Sequence, residues 1–194
     1  MRLIVGISGA SGAIMAYRLL QELKAIDGSE VHLVISDAAM RTIKLETDIS
    51  VDKVIAAADY HYDNHDLAAT ISSGSFQTDG MIVLPCSMKT LSGIVTGFSE
   101  NLLIRAADVC LKEGRKLILV PREMPLSTIH LRNLLLAAEN GCVIIPPMLT
   151  FYNDLPSTEE QIQHVIGKIL MQFGITTRAF KPWEGPTGQG AKDT

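Results

Sequence analysis

Five short runs of β-branched and other apolar residues recur along the chain, interleaved with longer segments of helical spacing, and this alternation restricts the fold more than any other feature. The runs are Leu3–Ile7, Val31–Ile35, Gly80–Leu84, Lys116–Val120 and Cys142–Ile145. They are nearly continuous in apolar character, as strands buried on both faces are. Helical spacing is found at Ala13–Ala25, Ala38–Thr47, Met88–Val95, Leu102–Glu113, Thr128–Asn140 and Thr158–Phe173. A parallel crossover needs about a dozen residues or more and is usually helical. The expectation is an α/β fold, a three-layer α/β/α Rossmann-like parallel sheet in a single domain. The polar stretch Asp59–Thr78 has neither period and reads as a long loop, a feature that in compact domains is functional or mobile. The domain is expected to span 1–183, with Gly- and Pro-rich residues in 184–194 forming a frayed tail.

Composition narrows the function classes. Of 194 residues, 47% are hydrophobic and 20% charged, enough apolar material for a core and no case for disorder. The net charge of −4, without clustered Lys or Arg, argues against nucleic-acid binding. The longest apolar runs fall far short of the roughly 20 residues that cross a bilayer. Met1 to Gly6 enters strand-like sequence at once, unlike a signal peptide. Three cysteines without C-x-x-C spacing fit a reducing compartment better than a disulfide scaffold or zinc site, so a cytoplasmic location is expected.

Unusual residues collect just after the expected strands: Gly9-Ala10-Ser11-Gly12, Ser36, Pro85 to Thr90, Arg122-Glu123, and Pro146-Pro147 with Tyr152. In an open parallel sheet these positions share the carboxyl edge, where ligands bind at a topological switch point. Gly6 to Gly12 is a strand-to-helix turn whose N–H groups and helix dipole suit a phosphate. Its pattern is G-x-x-G-x-x-G rather than the dinucleotide G-x-G-x-x-G, and Ser36 stands where an NAD site carries an acidic ribose ligand. Both departures favour a mononucleotide such as FMN, although a tight packing turn without a ligand explains the glycines equally well. Ser87 and Thr90 read either as ligand anchors or as helix N-caps. Arg122-Glu123 reads as a solvated surface pair or as a pre-organised catalytic couple between Pro121 and Pro125.

Glu46 reads as an exposed helix carboxylate, and Lys112 and Lys168 as helix-end cations that complement the dipole. Tyr152 and Trp183 are core anchors or lids over a flat or cationic ligand. Cys86 stands at a helix N-terminus, where thiol pKa values fall, although a buried strand-end residue suits it better. His61 and His65 share a loop while His32, His130 and His164 lie in separate elements, so no metal is expected, and no Ser nucleophile elbow appears.

Six blocks carry a resemblance: Gly6 to Ala13, Ile71 to Phe76, Pro85 to Leu91, Arg105 to Glu113, Val120 to Leu131, and Pro146 to Tyr152. With the Pro-Arg-Glu-x-Pro and Pro-Cys-Ser wording, the chain resembles the UbiX/Pad1 family of flavin prenyltransferases nearly to Trp183, and Thr78 to Val83 with Ser87 to Thr90 looks like the Pad1-type branch associated with phenolic-acid decarboxylases. The resemblance implies a flavoprotein-type fold and a homododecamer. It implies transfer of a dimethylallyl group from dimethylallyl phosphate to N5 and C6 of reduced FMN, making prenylated FMN for a UbiD-type decarboxylase. On this resemblance FMN is held by Gly9, Ala10, Ser11, Ser36, Ser87, Met88, Lys89, Thr90 and Arg122. The prenyl phosphate is gripped by Lys112, Tyr152 and Lys168, with Ser73 and Arg105 in support and Trp183 helping to close the site. Glu46 and Glu123 serve proton transfer, and Arg122 and Lys112 complete the catalytic set.

Two departures from the family pattern stand out. Lys168 occupies a position often held by arginine, keeping charge but losing the two-pronged phosphate grip. The mid-chain loop carries Phe76 where some relatives carry tryptophan. The chemistry agrees with the residue types, because cleaving an allylic C–O bond needs cations for the departing phosphate and a π surface for the carbocation. The alternatives are a flavin-dependent cysteine decarboxylase, whose expected histidine motif is missing near Glu46, and a non-catalytic FMN-binding accessory subunit of a phenolic-acid decarboxylase, which has no need of Glu123.

Overall fold

The six strands follow the apolar runs, with one addition. In the computed structural model, which describes residues 1–152, 155, 157–177, 180 and 182, the strands are β1 (Arg2–Ile7), β2 (Glu30–Ile35), β3 (Tyr60–Tyr62), β4 (Gly80–Cys86), β5 (Lys116–Pro121) and β6 (Val143–Ile144). All pair in parallel, in the order β3-β2-β1-β4-β5-β6. The chain runs outward from β1 to β3 and then returns to the other side of β1 as β4. The carboxyl ends of β1 and β4 therefore flank the switch point.

Helices α1 (Ala13–Lys24), α2 (Asp37–Glu46), α3 (Val51–Ile55), α4 (Met88–Thr96), α5 (Leu102–Lys112) and α6 (Thr128–Glu139) lie within a compact unit Met1–Pro146; a second unit, Pro147–Thr194, holds α7 (Thr158–Met171). In the first unit both faces of the sheet are covered. Ile4, Val34, Met81, Val83, Leu117 and Leu119 meet α4 and α5 through Leu91, Ile94, Leu103, Ala107 and Cys110, while α1 packs against β2 and β4 on the other side through Leu19, Leu20 and Leu23, all at 0% exposure. A Cβ at Gly6 would come within 3.0 Å of the Met81 methyl and 3.1 Å of Leu103 Cγ, so glycine sets how closely α5 lies on β1. In the second unit a Cβ on Gly167 would lie 2.4 Å from that of Phe180, so bare backbone there admits the ring.

The expected elements differ from the observed ones chiefly at 51–72. The segment read as one long loop contains β3 and a 3₁₀ turn (Thr70–Ser72), and is anchored by buried Asn64 and Ile71. Three residues of edge strand are too few to display an alternation, and the same shortness hides α3, whose N-cap is Ser50. The expected boundary at 183 and the tail 184–194 lie outside the described residues. Among those described, no helix is long and apolar enough to cross a membrane.

Candidate active site

The turn after β1 is tied to the end of β4 by Ser8, a side chain that sequence reasoning left unremarked inside the glycine motif. Ser8 is buried; its hydroxyl donates to the Pro85 carbonyl at 2.8 Å and accepts from the Ser87 N–H at 2.7 Å. Both sides of the switch point thus become one rigid piece. Gly9 is there for space, since a Cβ would lie 2.4 Å from that of Ala38 at the start of α2. Ala10 closes the turn by donating its N–H to the Ser8 carbonyl at 2.8 Å.

Gly12, at φ 103°, precedes α1 without a side-chain cap. The cap comes from elsewhere. Glu46, the last residue of α2, accepts the Gly12 N–H at 2.8 Å and the Ala13 N–H at 3.4 Å. Burial pushes the Glu46 carboxyl up, but hydrogen bonds from Ser11, Gly12 and Ala13 and the positive charge of Arg122 outweigh it, and the net shift is below the usual carboxylate value. Glu46 is therefore a helix cap as well as an exposed carboxylate, placed beside Ser11 and within the field of Arg122.

A cavity of about 440 Å³ opens at the same edge, lined by Gly9, Ser36, Asp37, Ala38, Asn64, His65, Ser87, Lys89, Thr90, Glu100, Asn101 and Ile104. Three helices start at its wall. Ser36 accepts from the Ala39 N–H at the head of α2, and Ser87 accepts from the Thr90 N–H at the head of α4 while donating to the Thr90 hydroxyl at 3.1 Å. Asn101 accepts from the Ile104 N–H at the head of α5, where buried Asn64 also receives the Leu102 and Leu103 N–H groups. Capping and lining are thus properties of the same side chains. Converging helix N-termini present partial positive charge, the environment a phosphate needs. The charged lining is internally paired: His65 Nε2 lies 3.1 Å from Asp37 Oδ2, and Lys89 Nζ lies 3.5 Å from Glu100 Oε2.

The structure brings Gly9, Ser36, Ser87, Lys89 and Thr90 together as expected, and adds Asp37, Asn64, His65, Glu100 and Asn101. Asn101 had a readable signal, a capping residue just before an apolar helical run; Asn64 and His65 had none, because only the tertiary fold carries their loop to the mouth of α5. Met88 instead packs, half-buried, against the core. Cys86 is fully buried, and burial, with the nearby Cys142, pushes its thiol up to about 12, so it is no thiolate nucleophile.

Other expected residues lie off the cavity wall. Arg122 is exposed, its N–H donating to the Cys86 carbonyl at 3.2 Å, which ties the loop after β5 to β4. Glu123 is exposed and accepts from the N–H of Met124 at 3.1 Å, and neither it nor Arg122 is among the residues that line the cavity. Lys112 ends α5, eight residues beyond Ile104 and thus about 12 Å farther along the axis. It pairs with Glu113 beside Gly74, towards the edge where β5 begins. Arg105 donates to the Ser72 carbonyl at 3.2 Å and to Asp108 at 2.7 Å, and Ser73 shares a hydrogen bond with Ser75. The expected grouping of Lys112, Ser73 and Arg105 with the flavin turn is not made within one chain, because a helix starting at the carboxyl edge must end near the opposite one. In the second unit, the Tyr152 ring meets His164 edge-on at 6.2 Å and Lys168 Nζ lies 6.0 Å from the Phe180 ring centroid. Trp183 lies outside the described residues.

The Flavoprotein family matches residues 1–174, across both compact units. The chain is 62% identical over 185 residues to a probable UbiX-like flavin prenyltransferase of Sedimentibacter hydroxybenzoicus, covering 95% of this chain and 98% of that protein. It is 54% identical over 186 residues to the flavin prenyltransferase UbiX of Escherichia coli (strain K12), with 95% and 98% covered. Among solved structures it is similar to a dodecameric FMN-dependent UbiX-like decarboxylase from Escherichia coli O157:H7, at TM-score 0.94 and 53% identity over 95% of this chain and 100% of that one. It is similar, too, to AnUbiX (PadA1) in complex with FMN and dimethylallyl pyrophosphate, at TM-score 0.93 and 48% identity over 95% and 97%. The peptidyl-cysteine decarboxylase EpiD, at 22% identity and TM-score 0.60, shares the fold. With its glycine turn, its Pro-Cys-Ser strand end and this extent of identity, the chain belongs to the Flavoprotein family, among the UbiX-like flavin prenyltransferases.

Proposed function

We propose that this protein is a flavin prenyltransferase, joining a dimethylallyl group from dimethylallyl phosphate to N5 and C6 of reduced FMN and passing the prenylated FMN to a UbiD-type decarboxylase. The observation that carries the reading is the cavity at the switch point, where Gly9, Ser36, Ser87, Lys89 and Thr90 meet at three helix N-termini. A phosphate suits those N–H groups, and a volume of about 440 Å³ suits a ligand of cofactor size. FMN is held by these residues with Ala10, Ser11, Arg122 and the backbone of Met88 at the start of α4, whose side chain packs on the core. When bound in reduced form, it supplies the two nucleophilic positions.

The remaining chemistry falls to the chain's side chains. Glu46, beside the turn through the hydrogen bond it accepts from Gly12, and Glu123 serve the proton transfers that involve the phosphate and the flavin. Arg122 supplies positive charge for that phosphate, with Tyr152 and Lys168 as further ligands. Lys112, supported by Arg105 and Ser73, is too far along α5 to serve its own cavity, so a role in phosphate binding requires a neighbouring copy. Oligomer formation is supported by exposed apolar residues after β5 and along α6, including Met124 at 87%, Ile129 at 67% and Leu135 at 59%. We read the assembly as a dodecamer, as in the O157:H7 relative. Its three free, buried cysteines support a reducing, cytoplasmic location.

Anaerobic incubation with reduced FMN and dimethylallyl phosphate yields a flavin heavier by one five-carbon unit, with release of inorganic phosphate. A parallel arm with the pyrophosphate decides the donor. Unchanged flavin in both arms overturns the reading, and carbon dioxide released from a cysteine-containing substrate replaces it with the decarboxylase alternative.

A further inference from the structure

Lys89 stands where a helix least favours a cation. It is the second residue of α4, at the positive end of the dipole, and the first turn of α4 contains no acidic residue. Its counter-charge comes from another element: Glu100, which immediately precedes Asn101, the N-cap of α5, lies 3.5 Å away, and both groups line the cavity. Glu100 is an unexpected neighbour for a phosphate site. Together with Asp37, already paired with His65, it puts two carboxylates on a wall whose helix ends attract anions. The side chains are 77% and 51% exposed, so the pair is held weakly and its partners exchange readily.

We propose that Glu100 competes with the flavin phosphate for Lys89 and so sets an upper limit on flavin affinity. The inference rests on the flavin reading of the cavity and adds a release function to it. An enzyme whose product is a cofactor destined for another protein gains from a phosphate site that is not maximally tight, and a carboxylate poised on the phosphate's cation loosens it. As product departs, Lys89 returns to Glu100 instead of being left unpaired at a helix N-terminus.

The test is binding of FMN and of riboflavin, which lacks the phosphate, to the full-length protein and to E100Q, K89M and K89M/E100Q, by flavin fluorescence and by stopped-flow dissociation. The expected result is that E100Q binds FMN about three- to tenfold more tightly, through slower dissociation, with riboflavin affinity unchanged. In the K89M background the E100Q effect disappears, which separates competition for Lys89 from a general change in potential. Glu100→Asp restores near-parental affinity. Equal or weaker FMN binding by E100Q, equal tightening of riboflavin, or persistence of the effect without Lys89 overturns the proposal while leaving the flavin site intact. Failure of the parent protein to bind FMN overturns the flavin reading and this proposal with it.

Discussion

Replacing Glu46 by alanine removes the cap of one helix from the end of another. Gly12 offers α1 no side chain, and Glu46 Oε2 receives the Gly12 N–H at 2.8 Å with a longer contact from Ala13 at 3.4 Å. Losing an N-cap costs about 0.5–2 kcal/mol, of which the charge facing the dipole contributes about 0.3–1 kcal/mol. Glu46 is exposed, so the lower half of that range applies, about 1 kcal/mol; for a chain of this length the expected fall in Tm is about 2–4 °C. Glu46→Gln keeps an acceptor and loses the charge, and is expected to lose roughly half as much. Because the folded-state carboxyl titrates below its ordinary value, its stabilisation is complete above that unfolded value, about 4.3, and vanishes as pH falls through the folded-state value. Thermal denaturation near neutral pH, at matched protein concentrations, measures the full deficit. Urea midpoints on descending from about pH 5 should show parent and alanine variant converging. Equal stability at neutral pH, or a deficit undiminished by acid, would refute the cross-helix cap.

Ser8→Ala leaves the partly buried Ser87 N–H without its acceptor, an expected loss of about 1 kcal/mol in urea unfolding. FMN affinity falls with it, because the side-chain ties between the β1 and β4 ends are lost, leaving the backbone bond from the Ser8 N–H to the Pro85 carbonyl at 3.2 Å; a variant of parental stability and affinity would contradict the staple. If Lys112 acts across a subunit boundary, co-expressing Lys112→Met with Glu123→Gln regenerates roughly a quarter of intact sites on random mixing, although each variant alone is inactive. No recovery of prenylated flavin in the mixed oligomer would place both groups in one chain or remove Lys112 from the reaction.

The relation between sequence and site differs from residue to residue for physical reasons. Gly9, Ser36, Ser87 and Thr90 were legible because a parallel sheet delivers every strand's end to one edge and the residues there control helix starts. Glu46 was legible only through family resemblance: its spacing says exposed helix carboxylate, and nothing local reveals that the N–H of Gly12, 34 positions away, comes to meet it. Lys112 shows the reverse. Its motif associates it with the phosphate, yet the helix that carries it points it away from its own chain's cavity.

The periodicity of apolar runs was sufficient to determine the succession of β1, β2, β4, β5 and β6 with the longer helices between them, hence the parallel sheet, because burial on both faces demands near-continuous hydrophobicity; the short β3 and α3 escaped it. Tertiary structure alone decided the order β3-β2-β1-β4-β5-β6, the docking of Asn64 on the start of α5, and the pairing of Lys89 with Glu100. Those contacts join residues remote in sequence, and their free energy depends on distances that exist only once the sheet has closed them.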